Sequence, residues 1–221
     1  MTAAWSWQQG GAQLLPGPVG PIEALFDAPS GPLRGLALVA HPQPLMGGDA
    51  RHKIPQFLAH TLRDAGWLAV RPNFRGVGRS AGEHDAGQGE TDDMWAVLKL
   101  LQADMPGLPV VLAGFSFGAF VQARLARRLA DAGTPAWRTF LAGMPFGTVE
   151  AGRSYETPDG LPDALVVHGE QDRQVSLDAV LAWARPEGHP VVVVPGVGHF
   201  FTGCLPVLRL LLVRHLQETV C

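Results

Sequence analysis

A serine stands between two glycines at Gly114-Phe115-Ser116-Phe117-Gly118, directly after the apolar run 109–115 and before a segment with helical spacing. A strand that turns abruptly into a helix at a Gly-x-Ser-x-Gly exposes the serine hydroxyl, because side chains at the flanking positions would collide in so tight a turn. The helix N-terminus behind it favours negative charge developing in front of it. A serine hydroxyl is a poor nucleophile until a base takes its proton. Of eight histidines, His199 in VGHFF (197–201) follows the last apolar run, in a glycine-flanked loop ahead of the final helical segment. An imidazole base in turn needs a carboxylate to fix its tautomer and stabilise its charged form. The stretch HGEQDRQV (168–175) offers Glu170 and Asp172. Asp172 lies deeper in the loop and reaches toward the next strand's loop, whereas Glu170 reads as a turn or surface carboxylate. A tetrahedral oxyanion needs two N–H donors. One is Phe117, the residue after the serine; the other comes from the loop HPQPLMGG (41–48). Pro42 and Pro44 have no N–H there, which leaves Gln43 between them.

Other groups compete for chemistry and are set aside on their spacing. His41 and His168 end apolar runs early and mid-chain, where no catalytic role is required. His52, His60, His84, His189 and His215 fall in helical segments or turns and read as solvated or packed. The glycine-rich stretch NFRGVGRSAG (73–82) is one residue too long for a dinucleotide fingerprint and lacks a P-loop lysine, so it reads as a structural loop near the site. There is no HExxH, and Glu83-His84-Asp85 reads as a solvated turn, so neither a metal nor a cofactor is expected. Cys204 and Cys221 form neither a Cys-x-x-Cys nor a zinc spacing. Cys204 reads as a small packed residue.

These residues must be positioned by regular elements. Short β-rich runs occur at 22–26, 35–41, 67–74, 109–115, 137–144, 163–169 and 189–196, several of them nearly continuous in Val, Leu and Ala, as in strands covered on both faces. Helical spacing appears at 52–66, with Pro55 in its first turn, and at 90–104, 119–133, 176–186 and 205–220. Asp92 and Asp93 are expected in the first turn of their helix, and Gly66 and Gly133 at helix C-termini. Strand–helix alternation at this rhythm predicts a doubly wound, mainly parallel α/β sheet flanked by helices. With no composition break or repeat, residues 1–221 read as one domain, and 146–160 as a short flap able to cover a site. In such sheets ligands bind beyond the carboxyl ends of the strands, where Gln43, Ser116, Asp172 and His199 all fall.

Composition narrows the function classes. A hydrophobic content of 47%, a charged content of 17% and a net charge of −3 suit a globular chain. The basic residues are scattered, with no stripe for nucleic acid, and no apolar stretch is long enough to span a membrane. MTAAWSWQQGGAQ lacks the basic region and apolar core of a signal peptide, so a cytoplasmic location is expected.

HPQP (41–44), NFRGVGRSAG (73–82), GFSFG (114–118), HGEQD (168–172) and GVGHFF (196–201), in this order, resemble the α/β-hydrolase superfamily, and within it small lidless bacterial predicted hydrolases and esterases. The resemblance runs from about residue 20 to the C-terminus. It implies Ser116 as nucleophile, His199 as base, Asp172 as orienting acid, and Gln43 and Phe117 as oxyanion donors. One departure is a proline after the histidine of HPQP, where many relatives have glycine. The expected partner is a small acyl compound, foremost a carboxylic ester. Thioester, amide or peptide cleavage by the same groups remains open, as does a hydrolase-like binding protein with an idle site.

Overall fold

The computed structural model describes residues 5–149 and 152–217. Residues 1–4 of the N-terminal stretch, residues 218–220 of the last expected helix and Cys221 lie outside the described residues. Eight strands form one sheet in the order β1-β2-β4-β3-β5-β6-β9-β10. They are β1 (Gly11–Gly17), β2 (Gly20–Asp27), β3 (Gly35–Ala40), β4 (Trp67–Pro72), β5 (Val110–Phe115), β6 (Arg138–Ala142), β9 (Ala164–Gly169) and β10 (Val191–Val194). Strand β2 runs antiparallel to β1 and β4, and every other pairing is parallel. The helices are α1 (Lys53–Asp64), α2 (Gln88–Asp104), α3 (Phe117–Asp131), α4 (Leu177–Ala184) and α5 (Leu205–His215).

The central strands are apolar at every position because helices cover both faces. Alternate residues divide the core in two. Leu36, Leu38 and Leu112 pack with residues of α2, α3 and α4, whereas Ala37, Val39, Val111 and Phe115 pack with α1 and α5. Each layer keeps apolar surface from water at roughly 25 cal/mol per Å2, so neither helix layer could leave without exposing one whole face of the sheet.

Three elements differ from the sequence expectation. Strand β1 contains Pro16 and pairs only with β2, at the sheet edge. There a proline is tolerated and the two-residue alternation is blurred by partial exposure. Helix α2 begins at Gln88, so Glu90 and not Asp92 or Asp93 occupies its first turn. Asp93 is buried and takes a bidentate pair from Arg75 at 2.9 and 3.0 Å. The segment 146–160 carries a small hairpin of its own, β7 (Gly147–Thr148) against β8 (Ser154–Tyr155).

The chain passes from β3 outward to β4, then crosses back over β3 to start β5. The strand order therefore reverses between β3 and β5, and a crevice opens at their carboxyl ends. The loops bearing Gln43 and Ser116 flank that crevice.

Candidate active site

Ser116 joins β5 to α3 with φ 55° and ψ −125°, a backbone conformation unfavourable for any residue with a Cβ. The turn is held by its surroundings. The Ser116 N–H donates to the Ala142 carbonyl at 2.9 Å, and its own carbonyl accepts the Ala119 N–H at 2.8 Å. The two flanking glycines serve close approach. A Cβ on Gly114 would run into the Gly118 backbone, and one on Gly118 into the carbonyl oxygens of Ala40 and His41. The first turn of α3 thus lies directly against the end of β3.

His199 sits in the loop between β10 and α5, its ring over Gly143 and beside Phe115 and Phe200. Its Nε2 lies 2.9 Å from Ser116 Oγ and its Nδ1 2.7 Å from Asp172 Oδ2. With the Nδ1 proton directed at the carboxylate, Nε2 is left as acceptor for the serine hydroxyl. The Asp172 side chain is fully buried, and its second oxygen accepts the N–H groups of Gln174 and Val175, each at 2.9 Å. Those bonds leave the carboxylate no freedom to turn away from the ring. Glu170 is exposed and accepts the Gly196 N–H at 2.7 Å, which ties the aspartate loop to the histidine loop without touching His199. Of the two carboxylates that the sequence offers, the fold brings Asp172 and not Glu170 to His199.

Gln43 opens a 3-10 turn, Pro44–Met46, at the end of the loop after β3. His41 is buried, donates from Nδ1 to the Pro42 carbonyl at 2.8 Å and accepts the Phe74 N–H on Nε2 at 2.9 Å. The Pro42 carbonyl and the Gln43 N–H belong to one planar trans peptide, so fixing the carbonyl also aims the N–H. This network needs a neutral ring, and burial pushes the His41 pKa down to about 4. Phe117 is the first residue of α3, where a backbone N–H has no helical acceptor.

The cleft around Ser116 holds about 600 Å3 of empty space, open solvent at its mouth included. Gln43 and His199 line it, together with four residues that the sequence reading did not single out for this role. His52 caps α1 by accepting the Ile54 N–H and stacks on Phe115; burial lowers its pKa. Tyr155 and Arg153 come from the hairpin and Gln174 from the aspartate loop. The Tyr155 hydroxyl accepts from Gln43 Nε2 at 3.2 Å. His168, behind the site, donates from Nε2 to the Val175 carbonyl at 3.0 Å and lies 3.5 Å from Asp172 Oδ2. Position in the sequence flagged His168 as a strand-end residue, but its nearness to Asp172 depends on the turn between them.

The loop 73–87, between β4 and α2, is held by contacts within the fold. Asn73 bridges Glu23 and the Ala50 N–H, and His84 pairs with the buried Glu90 at 2.7 Å while packing on Phe117. In the Glu83-His84-Asp85 turn, Glu83 and Asp85 are exposed as expected, and only His84 is partly buried. Among the described residues, no cluster of His, Cys, Asp and Glu has the makings of a metal site, and no helix is long and apolar enough to cross a membrane.

Residues 48–143 match the family model for the serine aminopeptidase family S33. The chain is 33% identical over 195 residues to an uncharacterized protein of Rickettsia prowazekii, covering 84% of this chain and 79% of that one. An α/β serine hydrolase homologue from Coxiella burnetii superposes with a TM-score of 0.79 at 36% identity, over 93% of this chain and 96% of that one. A lidless α/β serine hydrolase from Xanthomonas campestris superposes with a TM-score of 0.81 at 33% identity, over 94% of each chain.

Proposed function

Because the chain belongs to the α/β-hydrolase superfamily, we propose that it is a serine hydrolase cleaving a small carboxylic ester through Ser116, His199 and Asp172. The observation that carries this reading is the unbroken hydrogen-bond relay from Ser116 Oγ through His199 to a buried Asp172, at 2.9 and 2.7 Å.

Ser116 Oγ attacks the ester carbonyl carbon as its proton passes to His199 Nε2. The carbonyl oxygen becomes an oxyanion that the Phe117 and Gln43 N–H groups stabilise, while Asp172 offsets the positive charge on the ring. Collapse of the intermediate breaks the bond to the alkoxy oxygen, which leaves as alcohol after taking the proton from Nε2. Water then gives its proton to His199 and attacks the acyl-serine, and the acid departs as Ser116 recovers its proton. No metal or cofactor takes part in these steps.

Fluorophosphonate labelling tests the nucleophile. The wild-type protein is expected to take one label and Ser116→Ala none; labelling that survives the substitution overturns the assignment. A panel of p-nitrophenyl esters, thioesters and aminoacyl anilides then ranks the leaving groups, with esters expected to lead. The family model's description raises aminopeptidase activity as a second reading. Against it, a substrate with a free cationic N-terminus would meet the positive Arg153 in the cleft.

A further inference from the structure

Arg153 is the one Arg or Lys among the described residues lining the cleft, and no Asp or Glu side chain accompanies it there. It precedes β8, and its carbonyl accepts the Val149 N–H at 2.8 Å, which pins its backbone to the hairpin. Its side chain is only partly exposed, and Nε is buried with no hydrogen-bond partner among the described residues. Two guanidinium groups buried elsewhere in this fold each meet a carboxylate: Arg71 pairs with Asp27 at 2.8 Å and Arg75 with Asp93 at 2.9 Å. A buried donor left without an acceptor costs about 1–3 kcal/mol, more when the group is charged, so an unmatched guanidinium in a cleft is a vacancy for an anion.

From this, and resting on the hydrolase reading of Ser116, we infer that Arg153 binds a carboxylate carried by the substrate, so that the natural ester is a monoester of a dicarboxylic acid or its equivalent. The planar fork of a guanidinium takes a carboxylate in two parallel hydrogen bonds. A single Arg neutralises the one charge of a carboxylate but only part of the charge of a phosphate. The cleft that holds Ser116 and Arg153 is also lined by Met46, Pro145, Val149, Val175 and Phe200, apolar surface that suits a short hydrocarbon spacer joining the reacting carbonyl to the distal anion. The neighbouring Tyr155 hydroxyl and Gln174 amide add neutral donors without opposing charge.

Two measurements test this. The first compares kcat/KM for p-nitrophenyl esters of succinate, glutarate and adipate, each with a free distal carboxylate, against uncharged acyl esters of matched length. The anionic-to-neutral ratio is expected to fall at least tenfold in Arg153→Gln for the best-fitting spacer and to recover in part in Arg153→Lys. A ratio that the glutamine variant leaves unaltered overturns the inference. The second needs no turnover: binding of monomethyl glutarate and of an uncharged ester of equal length to Ser116→Ala, followed by calorimetry. The anionic ligand is expected to bind at least tenfold tighter, with the preference lost in the double variant Ser116→Ala/Arg153→Gln. Equal binding overturns the anion site whatever the kinetics. A binding preference without hydrolysis of any ester counts against the ester reading and leaves the anion site standing.

Discussion

Gln43 adopts φ −53°, within the range that a proline ring imposes. That coincidence allows its N–H to be deleted with little strain. Gln43→Pro is expected to lower kcat by about 10²–10³-fold, the usual effect of losing one oxyanion donor, with a far smaller change in KM. Gln43→Ala, which keeps the N–H and loses only the side-chain bonds to Leu45 and Tyr155, should retain most of the activity. Equal losses in the two variants would show that the side chain and not the N–H matters. Asp172→Asn presents an amide to His199 and favours the wrong tautomer, so kcat should drop by roughly 10³–10⁴-fold in steady-state assays while the fold persists. At this scale the sequence was informative wherever a role follows from chain position. Ser116, Asp172 and His199 each follow a strand, and two prolines single out Gln43. It was silent on Tyr155, Arg153 and His52, whose importance comes from long-range packing that no local spacing encodes.

Between β3 and α3 the packing leaves no room for a side chain at position 118. Gly118→Ala forces the helix start away from the Ala40 and His41 carbonyls. It should cost about 2 kcal/mol or more, read as a fall in Tm of roughly 4–8 °C. Because the Phe117 N–H moves with the helix, kcat should fall as well; a stable, fully active Gly118→Ala would contradict this close contact. Elements were legible in proportion to how completely they are buried. Strands β3 and β5 are apolar throughout, and β4 is apolar but for Arg71, so all three could be read directly. The edge strand β1 and the hairpin β7–β8, partly exposed and interrupted by Pro or Gly, carry too little periodicity to be seen. The start of α2 lies two residues before the predicted one because Gly87 and Gly89 hide it in the sequence, whereas in the fold the Gly87 N–H bond to Glu90 at 2.9 Å fixes it.

Across the whole molecule, several histidines are folded into sites that reject a proton. Burial lowers the pKa of His41 to about 4 and depresses those of His52, His168 and His189. In the unfolded chain each would bind a proton near pH 6.5. Between those limits the unfolded state holds more protons than the native one, so stability is complete above about pH 6.5 and declines as pH falls toward 4. His41 alone accounts for on the order of 3 kcal/mol of that loss. Urea midpoints measured from pH 7 down to pH 4.5 should fall steadily, and a flat profile would contradict a neutral His41. The two-stranded hairpin has a different kind of consequence. It shares no ladder with the eight-stranded sheet, and the relay through Ser116, His199 and Asp172 takes no hydrogen bond from it. On the reading proposed above, reactivity and choice of substrate then rest on separate elements, joined by the Gln43–Tyr155 side-chain bond at 3.2 Å. If so, a lineage could exchange residues around Arg153 and drift from one class of ester to another without dismantling the relay.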